Sequence, residues 1–461
     1  MPFMDCETWF ESLHSRNVAV LGLGISNRPL VHMLLEHGIA VTACDKTPRE
    51  QAGPEILALE EAGAILKLGP DYLENISADV VFRTPGMHPD TPAIARLRAQ
   101  GAVITSEMEA FFEVCPCRII AVTGSDGKTT TTTLISEMLR KAGHTVWLGG
   151  NIGNPLLPEA SRMQPSDLVV LELSSFQLLT MKRSPHVAVV TNISPNHLDV
   201  HKDYAEYIAA KANIFMNQDS SCTAVFNLDN PVTRSFADKA PGQVRWFSRQ
   251  SQPETGIYLQ DNTIFRAGSQ PEAVLQVEDI LLPGVHNIEN YMAAICAVEG
   301  LVSSTDIQEV ARSFAGVEHR IELVREKDGV RYYNDSIASS PGRTIAGLRS
   351  FKQKVILIAG GKDKGIPYDS LGPEIVDHVK TLVLTGMTAG KIRTAVEQSP
   401  SFIPGCPEIL DVEDFETAVR TAAGSALPGD VVILSPASTS FDRFRNFMER
   451  GNAFKKIVME L

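Results

Sequence analysis

The chain has 461 residues, and its 42 Lys and Arg against 55 Asp and Glu give a net charge of −13. At roughly 150 residues per domain this length predicts about three domains, and a hydrophobic share of 44% argues against a disordered chain. The acidic balance argues against a protein that coats nucleic acid, because such a protein needs a broad basic surface. We therefore expect no nucleic-acid partner.

Short β-rich apolar runs alternate with helical patterns along most of the chain, which predicts βαβ units and parallel sheets, an α/β fold. Domain boundaries near residues 106 and 316 fit this pattern. The segment 246–276, rich in Ser, Gln, Pro and Gly, interrupts the alternation and predicts a small β meander. Helices are predicted at 130–142 and 204–217. The predicted strands are 18–21, 41–45 and 80–83, then 118–123, 168–172 and 187–192, then 355–359, 381–384 and 431–434.

The N-terminal segment carries Asp5 and Glu7 in place of the basic residues and apolar run that begin a secretory signal. No apolar stretch of the sequence reaches the roughly 18–20 residues that span a bilayer. Seven Cys are scattered over the chain, which is typical of free thiols in a reducing compartment. Cys115 and Cys117 form a single C-x-C pair, which is weak support for a metal site. We therefore expect a cytoplasmic protein without a membrane partner.

The first predicted strand runs into a glycine turn that contains Gly22 and Gly24. Glycines at such a turn let a helix N-terminus approach a pyrophosphate closely. Asp45 ends the next predicted strand, about 20 residues later, where an acidic residue usually meets ribose hydroxyls. Asn27 stands in place of the third glycine of the dinucleotide fingerprint. Two interpretations therefore stay open, nucleotide-diphosphate binding and a tight turn without a ligand.

The stretch 118–133, RIIAVTGSDGKTTTTT, places a strand, a glycine turn and a Thr-rich helix in succession. Backbone amides of the turn would cradle phosphates, the Lys128 ammonium would meet the β and γ oxygens, and Thr129 would hold Mg²⁺. The loop is shorter than the standard phosphate loop, because Val122 stands where the first glycine belongs. A turn with a chance lysine is the alternative, and the strand–turn–helix order favours phosphate binding.

Glu172 ends an apolar predicted strand, and a lone carboxylate at such a position beside a phosphate loop usually anchors Mg²⁺. His197, Asp199 and His201 follow the next predicted strand. Strand geometry disfavours zinc binding by all three, so we favour His197 at a strand tip that faces a Mg²⁺-phosphate site. Lys211 lies in the Ala-rich helical pattern, and composition alone indicates a solvated charge there.

The segments GSDGKTT, LELSSFQL, NISPNHLD, AAK, HNIEN, EHR, YNDS and LSPASTSFDRF occur in one order, and together they resemble the Mur ligase family over essentially the whole chain. The resemblance implies three domains: a UDP-substrate-binding Rossmann-like domain at 1–106, a central P-loop ATPase domain at 107–316 and a Rossmann-like amino-acid-binding domain at 317–461. It also implies an ATP-dependent amide ligase of peptidoglycan synthesis that works through an acyl phosphate. The implied substrates are UDP-N-acetylmuramoyl-L-alanine, D-glutamate and ATP, and we expect a monomer that uses Mg²⁺.

The resemblance also assigns roles to particular residues. It implies catalytic roles for Lys128, His197 and Lys211, with Lys211 carbamylated, and metal binding by Thr129, Glu172, His197 and Lys211. The implied ATP-binding residues are Gly124, Ser125, Asp126, Gly127, Lys128, Thr129, Thr130, Asn290, Arg320 and Asp335. The implied UDP-substrate residues are Gly24, Ile25, Asp45, Lys46, Thr84, Gly86 and Asn151. The implied glutamate-binding residues are Ser339, Lys364, Ser440 and Phe447.

Two positions depart from the family pattern. Asn196 precedes His197 where the family often has Asp, and Ile337 stands where many members carry a basic residue. Arg343 is the nearby cation that would replace that charge. A Mur-type ligase that adds L-glutamate or another amino acid to a UDP-muramoyl substrate is therefore the alternative function.

Three other classes of protein fit the sequence less well. The glycine-rich N-terminal domain argues against a folylpolyglutamate synthetase, because those enzymes begin directly with the ATPase. The missing third glycine and the phosphate loop argue against a nicotinamide oxidoreductase. The presence of Lys128, Glu172, His197 and Lys211 argues against a non-catalytic paralogue.

Overall fold

The computed structural model describes residues 3–196, 200–363 and 365–461, which form three β-sheets covered by helices. The strands are β1 Val18–Leu21, β2 Val41–Asp45, β3 Ile65–Leu68, β4 Val80–Arg83, β5 Val103–Thr105, β6 Arg118–Thr123, β7 Val146–Gly150, β8 Leu168–Glu172, β9 Val187–Val190, β10 Thr223–Asn227, β11 Gln243–Ser248, β12 Gly256–Gln260, β13 Thr263–Arg266, β14 Glu272–Gln276, β15 Glu322–Lys327, β16 Val330–Asn334, β17 Val355–Ala359, β18 Val379–Leu384, β19 Glu408–Asp411 and β20 Val431–Leu434.

The α-helices alternate with the strands along most of the chain, as the sequence pattern predicts. They are α1 Cys6–Glu11, α2 Asn27–Glu36, α3 Pro54–Glu61, α4 Pro92–Ala99, α5 Glu107–Val114, α6 Lys128–Lys141, α7 Ser175–Leu178, α8 Tyr204–Met216, α9 Pro231–Arg234, α10 Val285–Ala297, α11 Ser304–Ser313, α12 Pro341–Leu348, α13 Leu371–His378, α14 Ala389–Glu397, α15 Phe415–Gly424 and α16 Phe447–Glu460. Among the described residues, every helix is too short or too polar to cross a membrane.

The first sheet has the strand order β3-β2-β1-β4-β5, and all its pairs are parallel. The side chains of Val18 and Val20 enter one core cluster, whereas those of Ala19 and Leu21 enter another. Alternate side chains of a strand point to opposite faces, so apolar groups cover both faces of this sheet. This double burial explains why β1 reads as a continuous apolar run.

The second sheet has nine strands in the order β14-β13-β12-β11-β10-β9-β6-β8-β7. In this sheet order, all neighbouring strands from β7 at one edge to β12, including β6, pair in parallel. The last three strands, β12, β13 and β14, form an antiparallel meander that extends the sheet. The predicted meander is therefore confirmed. β6 lies between β8 and β9, so the residues that follow these three strands meet at one edge of the sheet.

The third sheet has the order β15-β16-β20-β17-β18-β19, and only β15 runs antiparallel to its neighbour. Its helices bury Leu357 and Ile433 on one face and Ile356 and Val432 on the other. This two-sided burial is typical of a parallel sheet in an α/β fold. The sequence-based α/β fold class is confirmed in all three sheets.

The chain divides into two compact units. The first unit comprises Met1–Val277 and Glu289–Val310 and contains the first two sheets. The second comprises Glu278–Ile288 and Ala311–Leu461 and contains the third sheet. The three-domain division at 106 and 316 stays a prediction.

Candidate active site

The loop between β6 and α6 has the backbone of a phosphate-binding turn. Gly124 has φ of 148° and Gly127 has φ of 78°, both in the region that favours glycine. A Cβ atom on Gly124 would collide with the Thr191 hydroxyl, and one on Gly127 would collide with the Asn290 amide oxygen. Both glycines are therefore required by conformation and by space, and the amides at the start of α6 are presented to an anion.

Polar contacts from the segment after β9 and from α8 hold this loop in place. The Ser125 hydroxyl donates to the Ser194 carbonyl, accepts from the Ser194 amide, and lies 2.9 Å from the Tyr207 hydroxyl. The Asp126 amide donates to the Asn192 side chain at 3.0 Å. The Ser125 side chain is thus directed into the protein, and its predicted contribution to ATP binding would come from the backbone.

Lys128 begins α6 and folds back over the loop. Its ammonium donates to the carbonyls of Gly124 and Ser125, both at 3.0 Å. Thr129 beside it is half-buried, and Thr130 is buried. A cation at a helix N-terminus opposes the helix dipole unless an anion binds there. The position of Lys128 is therefore suited to a phosphate ligand.

Glu172 supplies a carboxylate that is incompletely hydrogen-bonded. It is 2% exposed, and its Oε1 accepts from the Asn151 side chain at 2.8 Å. Its Oε2 is buried and has no hydrogen-bond partner among the described residues. A buried carboxylate oxygen without a partner is costly, and Mg²⁺ prefers oxygen ligands. Glu172 therefore fits a divalent cation, and the exposed Asn151 fixes its orientation.

Lys211 lies on α8 and is 2% exposed. Its Nζ donates to the Gly124 carbonyl at 2.7 Å and lies 4.9 Å from the centre of the Tyr207 ring. Burial and the nearby Lys128 ammonium lower the pKa of Lys211 to about 6, although Glu172 and Asp126 oppose this shift. The composition-based interpretation of a solvated charge is wrong for this lysine, because tertiary packing buries it beside the phosphate loop.

Asn290 on α10 is buried against the same loop. Its Oδ1 accepts from the Thr131 hydroxyl at 3.3 Å and faces the Cα of Gly127. The family resemblance implies ATP binding by Asn290, through the adenine, and that role stays a prediction. The observed contacts give this residue a second task, which is to support the start of α6.

Gly127→Ala is expected to weaken ATP binding as well as stability, because the added methyl meets both a positive φ and the Asn290 side chain. Gly143→Ala is the matched control, since Gly143 follows the same helix with φ of 88° and has nothing within 4 Å of an added Cβ. Both variants should lose about 1–2 kcal/mol of unfolding free energy from backbone strain. Only Gly127→Ala should raise the KM for ATP, and an equal KM in the two variants would contradict the assignment.

The predicted UDP-substrate residues lie mainly on loops that follow β1, β2 and β4, which are neighbours in the first sheet. Asp45 accepts from the amides of Leu23 and Thr47 at 2.7 and 2.9 Å. Burial acts to raise the pKa of Asp45, but these hydrogen bonds outweigh it and the pKa is lowered. Four of the other predicted residues are exposed at this edge, as expected for a ligand surface: Gly24, Ile25, Lys46 and Gly86.

Asn27 explains how the first glycine turn forms without a third glycine. It is buried at the start of α2, and its side-chain amide donates to the Gly22 carbonyl at 2.8 Å. Gly22 has φ of 84°, and a Cβ there would lie 2.7 Å from a methyl carbon of Thr84. The turn is therefore closed by an Asn side chain and packs directly on the loop that holds Thr84.

The second unit brings together the loops that follow β16, β20 and β17, which are adjacent strands. Asp335 is buried, and its Oδ2 accepts from the Ser435 hydroxyl at 2.7 Å. Burial raises the pKa of Asp335 to about 7, opposed by that hydrogen bond and by the charges of Arg320 and Arg343. The Ser336 hydroxyl donates to the Phe447 carbonyl at 2.8 Å, which ties the first of these loops to α16.

Two of the predicted glutamate residues lie on loops at this same edge. Ser339 is half-buried on the loop after β16, and Ser440 is buried on the loop after β20. The Nη1 of Arg343 donates to the Ile337 carbonyl at 3.2 Å, so a guanidinium occupies the position beside Ile337. His197 and Lys364 lie outside the described residues.

Sequence reasoning missed Tyr207, which contacts both Ser125 and Lys211. Its contact with Ser125 is distant in the sequence, so no local signal marks it. His201, which the sequence places in a His-x-Asp-x-His run, is buried with its Nε2 2.9 Å from the Ser175 hydroxyl and its Nδ1 3.4 Å from Glu206.

Comparison with known proteins finds family models and relatives that cover most of the chain. Residues 122–298 match the Mur ligase middle domain, and residues 319–438 match the Mur ligase, glutamate ligase domain. The UDP-N-acetylmuramoylalanine--D-glutamate ligase of Acetivibrio thermocellus is 53% identical and covers 97% of each chain. The protein of the same name from Ruminiclostridium cellulolyticum is 49% identical and covers 99% of each chain.

Solved structures share the fold at low sequence identity. UDP-N-acetylmuramate-alanine ligase MurC of Thermotoga maritima superposes with a TM-score of 0.59 at 17% identity, covering 96% of this chain and 99% of that one. The MurF ligase of Thermotoga maritima, solved in complex with ADP, gives a TM-score of 0.54 at 18% identity and covers 98% of this chain and 97% of that one.

Proposed function

This chain belongs to the Mur ligase family, and we propose that it joins D-glutamate to UDP-N-acetylmuramoyl-L-alanine at the expense of ATP, in peptidoglycan synthesis. The observation that carries the proposal is the cluster at one edge of the second sheet. There the phosphate loop, Lys128 and the buried amine of Lys211 meet, next to a carboxylate oxygen of Glu172, Oε2, that has no hydrogen-bond partner in the described part of the chain. The proposed site is in the cytoplasm, where ATP and nucleotide-linked precursors are available, and the proposed active species is a monomer.

The chemistry begins with transfer of the γ-phosphoryl group of ATP to the substrate carboxylate. The amides at the start of α6 and the Lys128 ammonium would neutralise charge on the transferring group, which is the main task in phosphoryl transfer. A Mg²⁺ ion at this site would supply positive charge against the phosphate oxygens. Thr129 and Glu172 would hold it, together with His197 and carbamylated Lys211.

Carbamylation of Lys211 forms an N–C bond between its amine and CO₂ and releases one proton. Only the neutral amine reacts, and an ordinary lysine with a pKa near 10.4 is almost fully protonated at neutral pH. Burial of Lys211 supports the modification, because its lowered pKa of about 6 leaves the amine neutral at pH 7. The carbamate converts a cation into an anion that suits a Mg²⁺ ligand.

The second step is attack of the glutamate amine on the acyl phosphate. Phosphate is then expelled from a tetrahedral intermediate and an amide is left. Phosphorylation makes this possible because it replaces a poor leaving group by a good one. The cation among the proposed glutamate-binding residues, Lys364, would bind a glutamate carboxylate. These residues all belong to the second unit: Ser339, Lys364, Ser440 and Phe447.

Arg343→Met is expected to raise the KM for D-glutamate about tenfold, the effect of one lost charge-assisted hydrogen bond. The guanidinium beside the Ile337 carbonyl would supply the charge that Ile337 lacks. Arg349→Met is the matched control, because Arg349 follows the same helix, is exposed and pairs with Glu374. Steady-state kinetics with each substrate varied would check this. An unchanged KM for glutamate would show that Arg343 does not replace the positive charge that is missing at Ile337.

An isotope experiment tests the acyl phosphate route. UDP-N-acetylmuramoyl-L-alanine labelled with ¹⁸O in its carboxylate would be incubated with ATP, Mg²⁺ and D-glutamate, and the released phosphate analysed by mass spectrometry. One labelled oxygen should appear in the phosphate, because the carboxylate oxygen bridges to phosphorus and leaves with it. Amide formation with unlabelled phosphate would exclude the proposed route.

A further inference from the structure

Arg83 is a buried cation at the end of β4 that the assignments above do not use. It is 1% exposed, although β4 is otherwise an apolar strand of the first sheet. Its Nη1 donates to the backbone carbonyls of the loop that follows, at 2.9 Å to Met87, 3.3 Å to Pro85 and 3.4 Å to Thr84. One guanidinium therefore fixes the backbone of the loop that contains Thr84 and Gly86.

The other side of the same guanidinium reaches the second sheet. Its Nη2 donates to the Thr180 hydroxyl at 2.8 Å and to the Phe176 carbonyl at 3.4 Å. The Thr180 hydroxyl in turn donates to a carboxylate oxygen of Glu109 at 3.2 Å. Phe176 lies on α7, the short helix that follows β8 and Glu172. Arg83 thus connects the loop after β4 with the segment that follows the proposed metal ligand.

Two further contacts join the same loop to α8, which carries Lys211, and to Lys202 just before that helix. His88 lies 3.4 Å from a carboxylate oxygen of Glu206, and Asp90 forms an ion pair with Lys202. Lys202 and Asp90 are exposed, and exposed pairs contribute little to stability. Arg83 is the buried member of this set of contacts, so we expect it to contribute most to the position of the loop after β4.

Stability alone does not account for a buried arginine at this position. Removing a guanidinium from water carries a large desolvation cost, and replacing a buried charged group by apolar residues of similar volume often leaves a protein as stable or more stable. A planar group with several N–H donors can, however, bind several backbone carbonyls in fixed directions. The arrangement is therefore better explained by the need to hold two segments in one relative position.

We propose that Arg83 is a positioning residue for the UDP-muramoyl substrate. It holds the loop with Thr84 and Gly86 at a fixed place relative to Glu172. The nucleotide end and the carboxylate end of one substrate molecule can then occupy their two binding regions at the same time. This inference rests on the proposed function, because it concerns the same substrate. It predicts that loss of Arg83 raises the KM for the UDP-muramoyl substrate and leaves the KM values for ATP and D-glutamate nearly unchanged.

The test uses the full-length protein with Arg83→Met, Arg83→Lys and Thr180→Val, and with Arg96→Met as control. Arg96 is exposed on α4, the helix that follows β4, and donates to the Leu73 carbonyl, so this variant also removes an arginine that binds a backbone carbonyl. Arg83→Met should raise the KM for UDP-N-acetylmuramoyl-L-alanine at least about tenfold, because misplacement by about 1 Å has effects of this size or larger. The KM values for ATP and D-glutamate should stay within about twofold.

The conservative variants separate positioning from folding. Arg83→Lys should recover part of the affinity, and Thr180→Val should raise the same KM by a smaller factor and lower the melting temperature by only about 2–4 °C. If Arg83→Met does not fold, Thr180→Val decides the question. A wild-type KM in Thr180→Val, or an equal change in all three KM values, would overturn the inference.

Binding of UDP-N-acetylmuramoyl-L-alanine to the wild-type protein is measured first by calorimetry. Absence of binding would refute the proposed function itself. Binding to the wild type with unchanged KM values in both Arg83 variants would refute only the role of Arg83.

Discussion

Lys128→Ala is expected to lower kcat at least about a thousandfold, the loss seen when a group that neutralises transition-state charge is removed. The ammonium lies over the phosphate loop, 3.0 Å from two of its carbonyls, where no other described lysine except the buried Lys211 reaches the loop. Phosphate release with all substrates saturating would measure the effect.

Lys141→Ala is the control for this variant, because Lys141 ends the same helix and forms an exposed ion pair with Glu309. Its kcat should be that of the wild type. Near-normal turnover in Lys128→Ala would remove the phosphate loop from the mechanism. A loss of turnover in both variants would point to a general defect of α6.

Lys211→Ala is expected to be almost inactive, with a loss of at least about a hundredfold, and to be partly rescued by short carboxylates such as formate or acetate. The space left by the side chain lies beside Gly124 and Glu172, where an added carboxylate can replace the carbamate. Rescue is measured as kcat against carboxylate concentration, with the wild type as control. Full activity without any added carboxylate would contradict the role of Lys211.

The acidity of Lys211 gives this prediction a pH dependence. The lowered pKa of about 6 means that the amine is neutral above pH 6 and protonated below it. Enzyme freed of CO₂ should therefore regain activity on addition of bicarbonate at pH 8 and much less at pH 5.5. Equal recovery at both values would show that the protonation state of this amine does not limit the modification.

The fold could be predicted from the sequence where strands are buried on both faces. β1, β6 and β17 read as continuous apolar runs because helices cover both sides of their sheets. β3 and β5 were not predicted. They form the edges of the first sheet, and Ile65 and Val103 there are 62% and 53% exposed, so the apolar pattern is short and incomplete.

The phosphate loop could be predicted because its glycines, lysine and threonines are consecutive in the sequence. Lys211 could not be placed by composition, because its burial depends on packing against Gly124, 87 residues earlier. Arg83 was missed for the same reason, since its partners Phe176 and Thr180 are 93 and 97 residues away. Local patterns identify loops, whereas the supporting contacts arise only in the folded chain.

The net charge of −13 does not conflict with a set of anionic substrates. The cations that matter are few and local: Lys128 at the phosphate loop and Arg343 beside Ile337 are each set at the carboxyl edge of a sheet. Helix N-termini add positive potential at the same edges. Electrostatic complementarity is therefore a property of these edges and is not visible in the overall composition.

The most direct test of the proposed function is phosphate release with ATP, Mg²⁺ and UDP-N-acetylmuramoyl-L-alanine, measured with D-glutamate, L-glutamate and D-aspartate in parallel. We predict release with D-glutamate alone, accompanied by one new amide product. Release with L-glutamate or D-aspartate, and none with D-glutamate, would contradict the proposed function and would favour the alternative Mur-type ligase for another amino acid.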